Sequence, residues 1–532
     1  MRIINAQQAA YLIQDDWVLT TGGFGHCGSP EALFKALQAR HAQTASPSNL
    51  TLLFASGPGD REERGLNRLA HPGLLARIVG GFWSLAPRIG ELALANKIEA
   101  HNWPQGVVSH LFRAIASGQP GVMTEVGLNT FVDPLQQGGR LNTKTSRSMV
   151  ERMEVAGRPM LLYKALPVHC ALLRGTRADE SGNISMEHEA NIQDVLAQAQ
   201  AVHNSGGIVI VQVQQITTSG ALPLSSVCIP GCLVDYVVVA HEDDHWQTYG
   251  ELFNPSYSGQ WQGYVAHAAH DAAHAAPLTA KRIIARRALL ELMRMVDAHD
   301  RRKPLVVNLG IGTPESIARE IHTNGSLATQ RFTLTVESGV VGGIPAGGLS
   351  FGATSYPHAI LTQAQLFDLY DGGGIDMAFL GFGQIDGQGR INVASLEHRL
   401  NGVGGFINIS QAAQQLVFCG SFTAGGLSVR ATADSGLEIL TEGRVQKMVA
   451  QIERVCFDPG GRSRCKQPMV ITERGVFRLS TGGLELIELA PGMKLQQDIL
   501  AHSEVAIRVS PQLKPMPACI FGSEPLEFPF TS

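Results

Sequence analysis

The sequence predicts an α/β protein with two related open domains, each built on a mostly parallel sheet. Two observations lead to this prediction. Apolar segments typical of buried strands alternate with helical segments along the chain, which is the pattern of parallel α/β sheets. The two halves also share recognisable pieces, which indicates an internal duplication.

The first shared piece is a strand followed by a glycine loop and a helix. It occurs at 15–41 (DDWVLTTGGFGHCGSPEALFKALQARH) and again at 303–321 (KPLVVNLGIGTPESIAREI). In both copies Ser-Pro-Glu or Thr-Pro-Glu opens the helix, and proline is common in the first helical turn. Pro30 and Pro314 are 284 positions apart.

The second shared piece repeats at an offset of 207 residues. Residues 170–186 align with 377–393, and the apolar run 208–211 falls on 415–418 at the same offset. The two apolar runs alternate too weakly for a sheet with one exposed face, so they predict buried parallel strands. The first half therefore carries about 77 extra residues between its glycine loop and this piece, the difference between the two offsets.

The two domains are predicted at 1–262 and 283–532. They are joined by a linker at 263–282 (GYVAHAAHDAAHAAPLTAKR), which is rich in alanine and histidine and low in bulky apolar residues. A chain of 532 residues exceeds what one hydrophobic core usually organises, which agrees with this division.

Composition excludes several classes of function. The net charge is −4, so no basic surface favours nucleic acid as a partner. No apolar run approaches the roughly 18–20 residues of a membrane span, and the amino terminus lacks a secretory signal pattern. We therefore expect a cytoplasmic protein without a membrane partner.

Two short motifs resemble known sites without completing them. Gly23–Gly28 spells the glycine pattern of dinucleotide-binding loops, but Ala55-Ser56-Gly57 stands where the ribose-binding acid belongs. Tight strand-to-helix turns explain these glycines better. Gly348–Gly352 spells the nucleophile elbow around Ser350, yet no strand precedes it and a proline follows at 357.

No spacing of histidines and cysteines predicts a metal site. Cys228 and Cys232 are interpreted as small buried residues beside a turn. His267, His270 and His274 would share a helical face, but a solvated hinge is the better interpretation, and the run 241–245 (HEDDH) is interpreted as a polar surface cap.

Glu337 is the strongest candidate functional residue. It ends the β-type run that begins at Phe332, and six glycines follow it within the next fifteen residues. Ligands of open α/β sheets gather at the carboxyl ends of strands, which is where Glu337 would emerge. A buried glutamate needs a partner, so a solvated loop residue is the alternative.

Eight longer motifs are distributed along nearly the whole chain. They are LTTGGFGHCGSP, NWPQG (102–106), GLNTFVDPLQQGGRLN, VNLGIGTPE (307–315), VESGVVGGIPAGG (336–348), DGGGIDMAFLG, GVGGFINIS (402–410) and FCGSFTAGG. In this order they resemble the family I coenzyme A transferases. Within that family the chain is most similar to propionate and acetate CoA-transferases, single chains in which two subunits are fused, and it is expected to adopt their fold.

The resemblance implies roles for five residues. Glu337 is the nucleophile that forms an acyl-glutamyl anhydride and then a glutamyl-CoA thioester. Gln105 supplies a side-chain hydrogen bond to the oxyanion, and the backbone N–H groups of Gly404 and Gly405 support it. Asn308 orients the catalytic glutamate or the coenzyme.

The resemblance also implies partners. Acyl-CoA and short-chain carboxylic acids are the substrates, no metal or permanently bound cofactor is needed, and homo-oligomers, often tetramers, are expected. Transferases of 3-oxoacids typically read Ser-Glu-Asn-Gly at the nucleophile, whereas this chain reads Val-Glu-Ser-Gly at 336–339. That difference favours acetate, propionate, butyrate or lactate. An acyl-CoA hydrolase and a non-catalytic CoA-binding protein are the alternatives.

Overall fold

The computed structural model describes residues 1–260, 278–298, 303–323, 331–396, 399–432, 434 and 436–526. These residues form two compact units. The first takes the described residues of Met1–Trp261, Glu337–Asp368 and Ala394–Asn408. The second takes those of Gln262–Val336, Leu369–Val393 and Ile409–Ser532. Each unit therefore combines segments that are distant in the chain.

The predicted boundaries at 1–262 and 283–532 remain a prediction. Residues 263–277 of the predicted linker lie outside the described residues. The helix Ala280–Ala298 begins within the last part of that stretch.

The first unit contains a sheet of eight parallel strands. Leu50–Ser56 is buried at every position, because helices cover both faces of a parallel sheet. In spatial order the strands are Arg2–Ile3, Tyr236–Val239, Ile208–Val213, Cys170–Arg174, Val18–Thr21, Leu50–Ser56, Leu75–Phe82 and Glu99–Asn102.

Among the described residues, the first unit also has five whole helices and several smaller sheets. The helices are Ala6–Leu12, Glu31–Thr44, Pro87–Leu94, Gln105–Ala116 and Val195–Asn204. A three-stranded antiparallel sheet joins Gly121–Thr124, Arg158–Lys164 and Val150–Val155, and a four-stranded sheet joins Gln215–Thr217, Arg177–Asp179, Ile184–Ser185 and Val227–Ile229. Short pairs are Val340–Val341 with Ala359–Ile360, Ile344–Pro345 with Thr354–Ser355, and Ser395–Leu396 with Arg399–Leu400.

Within the described residues, the main sheet of the second unit has eight strands, of which the first five are parallel. Their order is Phe332–Val336, Leu305–Leu309, Met377–Gly381, Gln415–Cys419, Met469–Ile471, Gly475–Ser480, Gly483–Leu489 and Arg508–Pro515. Its core includes Ile284, Leu289, Val307 and Phe379, which have no exposed surface. Short pairs are Gln384–Ile385 with Ile391–Asn392, Thr423–Ala424 with Val445–Gln446, and Ser428–Thr432 with Gly436–Thr441.

Helices of the second half are Ala280–Ala298, Glu315–Thr323, Gln363–Asp371 and Phe406–Ala412. The helices Gln363–Asp371 and Phe406–Ala412 each begin in the first unit and end in the second.

The strand register confirms the duplication. Cys170 pairs with Ile208 in the first unit, and Met377 pairs with Gln415 in the second, which is the same pair moved by 207 positions. In both units the next neighbour is the strand that leads into a glycine loop, Val18–Thr21 or Leu305–Leu309. The predicted α/β fold with large, mostly parallel sheets in two domains is thus confirmed, and its repeated register agrees with an internal duplication.

The turns after these strands repeat as well. Asp179 Oδ1 accepts hydrogen bonds from the N–H groups of Ser181 and Asn183, each at 2.9 Å. Asp386, 207 positions later, accepts from the N–H groups of Gln388 and Arg390 at 2.9 and 3.0 Å. The side chain of an aspartate shapes the same turn in both copies.

One surface interpretation was wrong and a second holds only in part. Cys232 is exposed and Cys228 is half-buried, so they are not the buried pair that was expected. In the run 241–245 the first three residues are exposed and Asp244 is half-buried, as a surface cap requires, but His245 is buried, with its Nε2 3.5 Å from the buried carboxylate of Glu189. Arg174 Nε donates to that carboxylate at 3.1 Å, so the polar run 241–245 ends in an internal charge cluster.

Neither a membrane span nor a metal cluster is found in the described part of the chain. No helix there is long and apolar enough to cross a bilayer. No group of three or more His, Cys, Asp or Glu side chains in those residues is arranged to hold a metal ion. His267, His270 and His274 lie outside the described residues.

Candidate active site

Glu337 is the first residue after the strand Phe332–Val336, as the sequence predicts. It is 8% exposed, so it is not the solvated loop residue of the alternative interpretation. Ser338 follows it with no exposed surface, and its Oγ donates to the carbonyl of Gly352 at 3.0 Å. The carboxylate is therefore held on a fixed backbone.

The glycines after Glu337 serve two different purposes. A Cβ added to Gly339, whose φ is +107°, would lie 2.0 Å from the carbonyl oxygen of Leu361. Gly342 and Gly343 are equally crowded by the chain itself. Gly347 and Gly348 face open space, with no atom within 4 Å of an added Cβ. Most of these glycines thus permit tight packing, and part of the loop leaves room.

The glycine loop of the first half packs against the segment that carries Glu337. The backbone N–H of His26 donates to the carbonyl of Phe351 at 3.0 Å, and the rings of Phe24 and Phe351 stack at 5.8 Å. A Cβ at Gly25 would lie 2.6 Å from the same carbonyl oxygen. This close contact explains the glycine at position 25 without a dinucleotide.

Gln105 opens the helix Gln105–Ala116 and is 3% exposed. Its Nε2 donates to Gln363 Oε1 at 2.8 Å, and its backbone N–H donates to the carbonyl of Gly404 at 2.8 Å. A primary amide has two N–H donors. The bond to Gln363 uses one of them and fixes the plane in which the second is presented.

Gln193 is a residue that sequence reasoning missed. Its side-chain carbonyl accepts from the N–H of Gly23, and its backbone carbonyl accepts from the N–H of Gln363 at 3.2 Å. It has a φ of +58°, and a Cβ added at Gly28 would lie 1.8 Å from its Nε2. Gln193 therefore connects the glycine loop to the residue that holds Gln105. The positive φ has no signature in the sequence.

Asp194, the next residue, is fully buried, and its Oδ1 accepts from the N–H of Ala364 at 3.1 Å. Burial raises the pKa of this carboxyl. Two consecutive residues thus fix the start of the helix Gln363–Asp371.

Gly404 and Gly405 differ in what their N–H groups do. The N–H of Gly404 donates to the carbonyl of Gly81 at 3.0 Å, so it is occupied within the protein. Gly405 is buried, and no acceptor for its N–H exists among the residues that the structure describes. Buried N–H groups rarely stay unsatisfied. Of the two predicted donors, Gly405 is the one with a free N–H.

Asn308 lies in the second unit with no exposed surface. Its Nδ2 donates to the carbonyl of Thr335 at 3.4 Å and to the hydroxyl of Tyr370 at 3.3 Å. Tyr370 in turn donates to Thr335 Oγ1 at 2.8 Å. Asn308 therefore contacts the end of the strand that leads directly into Glu337.

Each of these residues has a property that acyl transfer uses. Glu337 is a buried carboxylate, the amide of Gln105 is held in one plane, and Gly405 has a buried backbone N–H; all three belong to the first unit. Fixed N–H donors of this kind stabilise an oxyanion. Comparison with known proteins agrees. The chain is 40% identical over 530 residues to a caffeate CoA-transferase of Acetobacterium woodii, covering 98% of both chains.

The chain belongs to the coenzyme A transferase family. A family model described as coenzyme A transferase matches residues 3–240. The acetate CoA-transferase YdiF of Escherichia coli K12 is 39% identical over 526 residues, covering 98% of this chain and 95% of that one.

This CoA-transferase also resembles a solved structure. A crystal structure of the acyl-CoA transferase YdiF from Escherichia coli O157:H7, a thioester complex with CoA, superposes with a TM-score of 0.89. That pair shares 37% identity and covers 99% of this chain and 98% of the other. The protein is thus a CoA-transferase enzyme, with the coenzyme as its substrate.

Proposed function

We propose that this CoA-transferase moves coenzyme A between short-chain acyl groups and carboxylic acids, with Glu337 as its covalent nucleophile. The observation that carries the proposal is the burial of Glu337 directly after a strand whose end Asn308 contacts. A nearly dry carboxylate on a fixed backbone is suited to attack, because little water must be displaced from it.

The reaction starts with the Glu337 carboxylate at the thioester carbonyl of an acyl-CoA. A C–O bond forms, the C–S bond breaks, and an acyl-glutamyl anhydride and CoA thiolate result. The thiolate attacks the glutamyl carbonyl, which gives a glutamyl-CoA thioester and releases the first acid. A second carboxylate reverses both steps and leaves as the new acyl-CoA.

Glutamate is suited to this chemistry for an energetic reason. The anhydride and the thioester conserve the energy of the original thioester, whereas an ester on serine would not return the acyl group to the coenzyme. Gln105 presents its second amide N–H to the oxyanion, with the N–H of Gly405 as further support. Asn308 orients Glu337 by fixing the strand before it.

The acceptor acid is proposed to be a simple short monocarboxylate such as acetate or propionate. The Val-Glu-Ser-Gly sequence at 336–339 and the similarity to YdiF support it. The similarity to a caffeate CoA-transferase supports a larger aromatic acid as the second candidate.

One assay separates these possibilities. Enzyme is mixed with propionyl-CoA and either labelled acetate or caffeate, and the acyl-CoA products are identified. We expect acetyl-CoA to form faster than caffeoyl-CoA. Caffeoyl-CoA as the faster product would favour the aromatic acid, and free CoA without a new acyl-CoA would mean hydrolysis.

The role of Glu337 is tested by Glu337→Gln, which should abolish exchange because an amide is a far poorer nucleophile than a carboxylate. The exposed Glu62 gives a matched control, Glu62→Gln, with unchanged rate. Retention of more than a trace of activity by folded Glu337→Gln protein would refute the mechanism.

The cytoplasm as location, a homo-oligomer such as a tetramer, and two domains at 1–262 and 283–532 belong to the same proposal. Sedimentation at several protein concentrations tests the oligomer, and limited proteolysis tests the boundaries.

A further inference from the structure

The second unit contains a cleft of about 810 Å³, within the range of about 300–1,000 Å³ typical of small-molecule sites. Its walls come from the helix Ala280–Ala298, the loop 464–467 and the strand Arg508–Pro515. Its floor includes the first residues of the strands Met377–Gly381 and Gln415–Cys419.

The cleft lies at the amino ends of the parallel strands. Met377, Gln415 and Met469, which line it, are each the first residue of their strand. Glu337 follows the carboxyl end of Phe332–Val336, which runs in the same direction as these strands. The cleft and the strand end before Glu337 are thus at opposite edges of the sheet, so the cleft is a separate site.

The lining is strongly basic. Two carboxylates, Glu291 and Glu488, are set against six basic side chains in the lining, and one of the six, Arg478, also pairs with Glu485 outside it. Three positive charges are left uncompensated. Arg287 donates to both oxygens of Glu488 at 2.8 and 3.0 Å, and Arg294 donates to Glu291 at 2.6 Å. The six basic residues are Arg287, Arg294, Arg464, Lys466, Arg478 and Lys514.

Three of these cations have no carboxylate partner in the part of the chain that the structure describes, namely Arg464, Lys466 and Lys514. Arg464 donates to the carbonyl of Gly372, and Lys466 donates to the carbonyl of Ser463, both at 3.2 Å. Carbonyl oxygens hold the side chains in place without neutralising their charge. A concave surface with a net positive charge concentrates anions, even though the whole chain has a net charge of −4.

We propose that this cleft binds a small anion that carries two or more phosphate groups. Three uncompensated charges exceed what one carboxylate neutralises, whereas a pyrophosphate group matches them closely. Arginine also pairs with phosphate oxygens through two parallel N–H donors. The amides of Gln414, Gln467 and Gln512 add neutral donors at the same surface. Free pyrophosphate and the polyphosphate of a nucleotide share this chemistry.

The test is calorimetric titration of the full-length enzyme with pyrophosphate and, separately, with ATP. Coenzyme A is left out, because its own pyrophosphate group would compete for the cleft, and the charge variants below separate binding in the cleft from binding at the coenzyme's site. The ionic strength is fixed because salt screens exposed charges. The variant Lys466→Glu/Lys514→Glu should weaken binding about tenfold or more, since each reversal replaces an attraction by a repulsion. The neutral variant Lys466→Gln/Lys514→Gln should lose less affinity than the charge-reversed variant. It keeps the test valid if the charge-reversed variant misfolds.

Lys494→Glu is the matched control, because Lys494 is exposed in the same unit and does not line the cleft. It should bind as the parent does, and transfer activity should be unchanged in all variants.

Binding of pyrophosphate and ATP alike identifies the phosphates as the recognised groups, and binding of ATP alone adds a contribution from the base. No binding at millimolar ligand, or equal binding by parent and charge-reversed enzyme, refutes the site. A change of oligomeric state in the reversed variant without ligand binding by the parent would assign the cleft to contact between copies, and also refutes it.

Discussion

The amide of Gln105 donates to Gln363 Oε1 at 2.8 Å, across 258 positions of sequence. The bond fixes the orientation of Gln105, and with it the direction of the second N–H. Removing Gln363 should therefore affect catalysis through Gln105.

Gln105→Ala should lower kcat about 10²–10³-fold, the usual cost of one oxyanion donor. Gln363→Ala should lower kcat about tenfold, because the amide of Gln105 stays present but loses its fixed plane. Initial rates of propionyl-CoA with acetate measure both. Gln43→Ala, on the exposed side of the helix Glu31–Thr44, is the control. The double variant should be no slower than Gln105→Ala alone, and strictly additive losses would contradict the coupling.

Asn308→Ala should reduce kcat and leave KM for acyl-CoA nearly unchanged. The reason is that the Asn308 amide contacts Thr335 and Tyr370, which belong to the strand end and its support. Steady-state kinetics with propionyl-CoA provide the measurement. A raised KM with normal kcat would instead assign Asn308 to the coenzyme.

Borohydride added together with acyl-CoA should inactivate the enzyme, because it reduces the thioester at Glu337. Peptide mapping should then place the modification within residues 331–352. Borohydride without acyl-CoA is the control and should leave activity intact. Modification of another carboxylate would overturn the assignment of the nucleophile.

Gly339→Ala and Gly347→Ala should have different effects. At Gly339 an added methyl meets the carbonyl of Leu361 at a φ of +107°, so the free energy of unfolding should fall by at least about 2 kcal/mol. At Gly347 the added methyl faces open space, so stability should be unchanged while KM for acyl-CoA rises. Denaturant unfolding and steady-state rates measure the two. Unchanged KM in Gly347→Ala would show that the open space is not used by substrate.

The protein should lose stability as the pH falls from about 6.5 to 4. Burial, assisted by nearby arginines, lowers the pKa values of His26, His101 and His245 to about 4. Below pH 6.5 the unfolded chain binds protons that the folded chain does not, so unfolding becomes easier. Each such histidine contributes a slope of up to about 1.4 kcal/mol per pH unit.

His101→Asn should flatten that slope by the share of one histidine. Denaturant unfolding between pH 7 and 5.5 measures it, above the range in which most carboxylates titrate. His203→Asn, at an exposed position, is the control with the parental slope. A slope unaffected by His101→Asn would show that this side chain is protonated in the folded state.

The repeated offset was the part of the fold most accessible to sequence reasoning. Buried parallel strands require apolar runs, and the turns after them use aspartates at a fixed spacing, so this pattern is visible in the sequence. The strands 170–174 and 377–381, which share it, have equivalent neighbours in their sheets. The division into units was not accessible in this way. The segments 337–368 and 394–408 belong to the first unit through contacts that leave no local pattern.

The residues of the candidate site could also be predicted only in part from the sequence. Glu337 was predictable because strand, acid and glycines are adjacent in sequence. The connection from Gly23 through Gln193 to Gln363 was not, since it depends on a positive φ and on bonds across 170 positions. His245 was misinterpreted because it is buried against Arg174 and Glu189, both more than fifty positions away in the sequence.

The mixed composition of the first unit limits how this gene can be divided. A polypeptide ending at residue 262 would lack Phe351, Gln363 and Gly404, on which its own glycine loop and helix Gln105–Ala116 depend. Separately purified halves should therefore be poorly folded and gain activity only when translated together. In the single chain, the segments that complete the first unit are covalently attached to it. Their association therefore does not depend on the concentration of a second polypeptide.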